Sequence, residues 1–229
     1  MAFDLIELPS EEKFLEHSAS LLEEAVTTAL SKSGRCVLGL SGGSTPLPIY
    51  ELLKNRPIEW TNVWIYLTDE RYVSPDHEAS NQRAIRTALI DAIGLPPDHF
   101  LAPDTWKPLQ ECVHLYDQKL RELLAKGPAD LVTMGLGSDG HIASLFPPVP
   151  PEAFEGAFAL ATHTENFEIP DRISATMPTL LASNAFLFFL KGIEKKKTWV
   201  KMQRGKRNPS RWPAQTLIET GNVRVVAQW

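Results

Sequence analysis

Apolar side chains recur at helical spacing between Ser10 and Gly34, at Phe14, Leu15, Leu21, Leu22, Ala25, Val26, Ala29 and Leu30. That period gathers them on one helix face. Ser10, followed by two glutamates, predicts the helix start, and Gly34 its end. The pattern then changes to short unbroken apolar runs at residues 35–40 (RCVLGL), 63–67 (VWIYL), 130–134 (DLVTM), 186–190 (FLFFL) and 223–227 (VRVVA). Such runs predict buried strands. Weaker strand patterns lie at 158–162 and 172–175. Between them, helices are predicted after Pro46, over 81–93 up to Gly94, over 109–124 up to Gly127-Pro128, and over 194–202 after Gly192. A helix of about two turns is expected after Gly140, before the prolines of 147–151 force a loop.

Strands alternating with helices predict an α/β fold of Rossmann-like, doubly wound type: a mostly parallel sheet with helices on both faces. No repeat, low-complexity stretch or linker divides the chain, so residues 1–229 are read as a single domain. A hydrophobic fraction of 43% against 22% charged residues is that of an ordinary globular protein. Neither a membrane-spanning run nor a signal-peptide core is present, so no membrane partner is expected. Cys36 and Cys112 lie in apolar stretches and read as reduced core residues of a cytoplasmic protein. The net charge of −5, with no long basic block, argues against nucleic acid. Lys195, Lys196, Lys197 and the basic residues of 204–211 nonetheless make a basic C-terminal quarter, read either as solvated faces or as an anion site.

In such a sheet, ligands bind beyond the carboxyl ends of the strands, where strand order reverses. Four segments stand there: 41–45, 68–71, 135–141, and the chain from Lys191. The third contains Gly135, Gly137 and Gly140 in the G-x-G-x-x-G spacing of dinucleotide sites. It lacks the long helix that should follow and an acid about 20 residues on, where the sequence reads AFALA. A dinucleotide is therefore not expected. The glycines supply a tight turn whose N–H groups can approach a ligand or an oxyanion. His141 stands at the rim of that turn, with Asp139 two residues away to orient its ring, and is the candidate general base. His17, His77, His99, His114 and His163 read as structural or surface residues. Gly42, Gly43, Ser44 and Thr45 form a hydroxyl-rich turn suited to a phosphate, without the lysine of a nucleoside-triphosphate loop. Arg172 and Lys195 are candidate cationic partners for that phosphate. Asp69 is a candidate for sugar hydroxyls or proton transfer, and Arg71 for the polar end of a ligand or the oxyanion.

Taken together and in order, LSGGSTP (40–46), TDERYV (68–73), Ser80-Asn81, GLGSDGHIASLFP (135–147), RISATMPTLLAS (172–183) and Gly192-x-x-Lys195 resemble the glucosamine-6-phosphate isomerase/6-phosphogluconolactonase family. The resemblance implies hydrolysis of the lactone of 6-phosphogluconate in the oxidative pentose phosphate pathway. It further implies no required cofactor or metal; the expected partner is a sugar-phosphate lactone substrate, and a monomer is expected. The alternative within the family is an amino-sugar-phosphate isomerase/deaminase. That branch carries a carboxylate five residues beyond the motif histidine, where this chain has Phe146, and Asp-Glu-Tyr where it reads Asp69-Glu70-Arg71. Both departures favour the lactonase.

Overall fold

The computed structural model describes residues 3–229. Its strands are β1 (Asp4–Glu7), β2 (Cys36–Leu40), β3 (Val63–Leu67), β4 (Asp69–Arg71), β5 (Phe100–Leu101), β6 (Leu131–Met134), β7 (Ala159–His163), β8 (Asp171–Ala175), β9 (Phe186–Lys191) and β10 (Val223–Gln228). The helices are α1 (Glu11–Ser33), α2 (Leu47–Leu53), α3 (Asn81–Ala88), α4 (Leu109–Leu124), α5 (Met177–Leu181), α6 (Ile193–Arg204) and α7 (Ala214–Ile218).

Helix α1 begins where the Ser10 hydroxyl accepts the N–H of Lys13, and it ends on Gly34 at φ 69°, the left-handed cap that glycine adopts at least cost. Its buried face includes Phe14, Leu22, Val26 and Ala29. The apolar runs become the middle of a seven-stranded parallel sheet ordered β1-β10-β9-β6-β2-β3-β5. Alternate residues of each strand serve opposite faces, which is why these runs are apolar throughout. Phe186, Phe188 and Leu190 join Tyr116, Leu120, Trp199 and Met202 on one face. Leu187 and Phe189 join Phe14, Leu22, Ile49, Leu53 and Ile85 on the other. Each such side chain contributes about 1.5–3 kcal/mol by leaving water. From β2 the chain winds to β3 and β5 in one direction, and later through β6, β9 and β10 in the other, so strand order reverses between β2 and β6.

Three expectations are corrected. The 68–71 segment is not simply a strand-end loop. After Thr68 the chain continues as β4 and pairs antiparallel with β8, and with β7 these form a second, three-stranded sheet of order β4-β8-β7. The weak strand patterns at 158–162 and 172–175 therefore belong to this small sheet rather than to the parallel one. No helix follows Gly140: residues 142–145 close a tight turn with Ala143 at φ 47°, bridged between Ile142 and Leu145, and the Ser144 N–H donates to the Ser174 hydroxyl. Helix α3 stops at Ala88 because Leu89 leaves helical geometry (φ −139°, ψ −62°), and a 3-10 turn over Ile90–Ala92 continues its buried face.

Candidate active site

The turns that leave β2 and β6 flank the point where strand order reverses, and both open onto one cleft of about 420 Å³. The β2 turn is fixed from beneath by a buried polar knot. Tyr50 Oη lies 2.8 Å from Thr133 Oγ1 and donates to the Ser41 carbonyl (3.0 Å), while the Ser41 N–H donates to Thr133 Oγ1 (2.9 Å). Above the knot, Gly42, Gly43, Ser44 and Thr45 line the cleft. Their N–H groups and hydroxyls are bonded to no acceptor among the described residues. Gly42 is held to glycine by packing: a Cβ there would overlap the Asn81 side-chain amide. Asn81 is buried, donates to the Asp69 carbonyl (3.0 Å), and its Oδ1 at the cleft wall has no partner among the described residues.

The β6 turn carries the imidazole. His141 Nδ1 lies 2.6 Å from Asp139 Oδ1, and the same carboxylate oxygen accepts the His141 N–H at 3.2 Å. Burial opposes ionisation of Asp139, but these bonds outweigh it and hold the carboxyl below its usual range. With Nδ1 committed as donor, Nε2 is the free acceptor of the ring. Gly137 is the residue that makes room: a Cβ there would overlap both the His141 ring and the Asp139 carboxylate. Two of the three glycines do not serve as oxyanion donors. The Gly137 N–H donates to the His141 carbonyl (2.8 Å) and the Gly140 N–H to the Gly137 carbonyl (2.9 Å), so both close the turn on itself. Gly140 also faces away from the cleft, toward Trp212 and Arg211. Gly135 lines the cleft.

The small sheet supplies the cations. Arg71 and Arg172 are register partners on β4 and β8, and both line the cleft. Burial and the neighbouring Arg71 charge draw the Arg172 guanidinium below its ordinary value, the signature of a cation pair that an anion would relieve. Arg71 Nη1 donates to the Ala79 carbonyl (2.6 Å) and Arg172 Nε to that of Ile169 (2.8 Å), which aims the two side chains. Of the three lysines in the 195–197 run, only Lys195 lines the cleft, where it donates to the Leu136 carbonyl; Lys196 pairs with Glu7 and Lys197 with Glu194. Burial draws the Lys195 ammonium below the ordinary lysine range, with Asp139 pulling the other way.

Asp69 is buried at the cleft wall and accepts the Ser144 hydroxyl at 2.6 Å. Glu70 faces away. Its carboxylate accepts the N–H groups of Arg71, Asn81 and Gln82 and the Ser80 hydroxyl, tying β4 to the start of α3. The sequence reading passed over Ser144, although it stands inside the histidine motif, and over Phe167. No pattern singles out Phe167, an isolated aromatic among polar residues of the β7–β8 hairpin. Its ring packs edge-on against His141 (5.6 Å) and beneath the Arg172 guanidinium (5.7 Å), while Phe146 packs against His141 at 4.8 Å. The other histidines lie elsewhere; His99, for instance, stacks on Trp64, and His163 bridges Asp171 and Glu165.

Residues 9–227 match the model of the family described as glucosamine-6-phosphate isomerases/6-phosphogluconolactonase. A Dictyostelium discoideum protein named "Probable 6-phosphogluconolactonase" is 39% identical, with 93% of each chain covered. A Nostoc 6-phosphogluconolactonase is 34% identical over 82% of this chain and 80% of its own. The solved structure of the 6-phosphogluconolactonase from Plasmodium vivax superposes with a TM-score of 0.89 at 25% identity, covering 98% of this chain and 90% of that one. With a match spanning nearly every element that builds the cleft, the chain belongs to the glucosamine-6-phosphate isomerase/6-phosphogluconolactonase family.

Proposed function

We propose that this protein hydrolyses 6-phospho-D-glucono-1,5-lactone to 6-phosphogluconate, the lactone step of the oxidative pentose phosphate pathway. One observation carries the reading: His141, its Nδ1 bonded to Asp139, and a cradle of free N–H groups, hydroxyls and cations line the same cleft. The substrate needs both, a base at its ester carbonyl and an anion site at its phosphate. Relatives named for this activity share the whole fold.

In the proposed mechanism the phosphate sits on the turn of Gly42, Gly43, Ser44 and Thr45, with Arg172 and Lys195 supplying charge. His141 Nε2 takes a proton from water as the water oxygen attacks the lactone carbonyl carbon. The carbonyl electrons move onto oxygen, and Arg71, which lines the cleft, is the donor assigned to that oxyanion. When the intermediate collapses, the bond from carbon to the ring oxygen breaks and His141 returns its proton to that oxygen. Asp139 holds the ring in the tautomer that exposes Nε2. General-base help is worth about 10²–10⁴ in rate and one oxyanion donor about 10²–10³. Those factors suffice for an ester that already hydrolyses in water. Asp69, fixed by Ser144, is assigned to substrate hydroxyls.

We further infer action as a monomer and as one domain; the two free, buried cysteines fit a reducing, cytoplasmic setting. The test is a rate assay on freshly made lactone, with the spontaneous rate subtracted and glucosamine 6-phosphate run beside it. Lactone hydrolysis well above background is expected. Ammonia release without lactonase activity overturns the reading in favour of the deaminase branch.

A further inference from the structure

The basic C-terminal quarter divides on inspection. Lys195 reaches the cleft, but Arg211 lies behind the His141 turn and lines no part of it. Arg211 Nη1 donates to the Asp139 carbonyl at 2.6 Å, and its guanidinium carbon lies over the Trp212 ring, 3.8 Å from the centroid. Gly140 packs against this pair so closely that a Cβ would lie 2.6 Å from the indole and 2.9 Å from the guanidinium. The support is itself anchored. The Arg211 N–H donates to the Asn208 side chain (3.1 Å), and the Asn208 N–H donates to Oε1 of the fully buried Gln215 (2.8 Å). A second tie joins the same two stretches: the Val149 N–H donates to the Ser210 carbonyl (2.8 Å) and the Ser210 hydroxyl to that of Val149 (2.9 Å).

A connected line therefore runs from the core at Gln215 through Asn208 and Arg211 to the residue that orients the imidazole. We propose that Arg211 is a positioning residue for the reaction, holding Asp139, and through it His141 Nε2, in place from behind the cleft. The inference rests on the reading of His141 as general base. A planar guanidinium suits the task because it hydrogen-bonds in its own plane while stacking by its face, and a lysine reproduces only the first.

The experiment compares Arg211→Ala and Arg211→Lys with the unaltered protein and with Lys201→Ala, an exposed α6 control. Steady-state hydrolysis of 6-phosphogluconolactone, melting temperature and the NMR signal of the His141 Nδ1 proton are measured in each. In R211A, kcat is expected to fall about 10–100-fold, the scale of a misplaced base. KM and inhibition by 6-phosphogluconate should stay within twofold, because the anion cradle stands on other elements. R211K recovers part of kcat, and K201A leaves it unchanged. A folded R211A with kcat within twofold of normal, or with KM raised as much as kcat is lowered, overturns the proposal. Should R211A fail to fold, R211K decides: a kcat equal to that of the unaltered protein overturns it. Should the unaltered protein lack lactonase activity, the functional reading fails separately. The NMR arm then stands alone, with loss of the hydrogen-bonded Nδ1 proton signal expected in R211A and its persistence counting against the brace.

Discussion

His141 owes its geometry to what is missing beside it. Gly137 has no side chain, and the space a methyl group would fill is taken by the imidazole and the Asp139 carboxylate. Gly137→Ala should thus act as a displaced-base variant: a kcat lower by about 10²-fold with a nearly normal KM, approaching the His141→Asn loss. Steady-state kinetics on both variants check this, and a G137A enzyme of normal kcat would show that the dyad is not used. The anion end is separable. Arg172→Ala and Lys195→Ala remove charge from the cradle while leaving the dyad in place, so inhibition by 6-phosphogluconate should weaken about tenfold or more in each, a loss of roughly 1.4 kcal/mol. Unchanged product inhibition in both removes them from the phosphate site.

At the scale of elements, the junction between β4 and α3 does the most for the cleft wall. Ser80 accepts the Arg83 N–H as the α3 N-cap and donates to Glu70, while the next residue, Asn81, presses on Gly42. Ser80→Ala is expected to cost about 1–2 kcal/mol of unfolding free energy, read as a lower denaturant midpoint with an unchanged slope. This junction also shows where sequence reading runs out. The central strands, α1 and α4 were legible because apolar period and capping residues agree there: α4 spans the predicted residues, and Ser10 and Gly34 cap α1. The site segments were legible as strand ends. β4 was not, since Asp-Glu-Arg carries no strand pattern; it is a strand because β8 offers it a partner. Likewise, no spacing tells that Gly137 and Gly140 spend their N–H groups inside the turn, or that Arg211 lies behind it, because both depend on long-range packing.

For the whole molecule, the carboxyls of Asp139 and Glu70 set opposing responses to pH. Asp139 is held low by its bonds from His141, so its contribution is present above the carboxylate range and lost as pH falls through its folded pKa. Glu70 runs the other way. Burial raises it from 4.5 to about 6 despite the N–H donors around it, so the folded protein binds the extra proton, and this contribution to stability is lost as pH rises from 4.5 through about 6. Glu70→Gln should remove that component. Unfolding free energies measured across the interval should fall less steeply with pH in E70Q, and identical slopes would show that Glu70 titrates normally.

The reversal of strand order has one more consequence. The cradle's turn and the base follow β2 and β6 respectively, adjacent rails paired at Leu38 with Leu131 and Gly39 with Val132 near the middle of a buried sheet. The strands beneath both turns are held at the backbone repeat of about 4.8 Å, which fixes the roots from which they rise. The enzyme is accordingly a fixed gauge of sugar length. A 7-phosphorylated 1,5-lactone derived from a heptose has one more carbon between phosphate and ring, so that, seated by its phosphate, it carries its carbonyl carbon past Nε2. It should inhibit like a substrate yet turn over at least about 10²-fold more slowly, and competition assays that found both lactones consumed at equal rates would show the gauge to be slack.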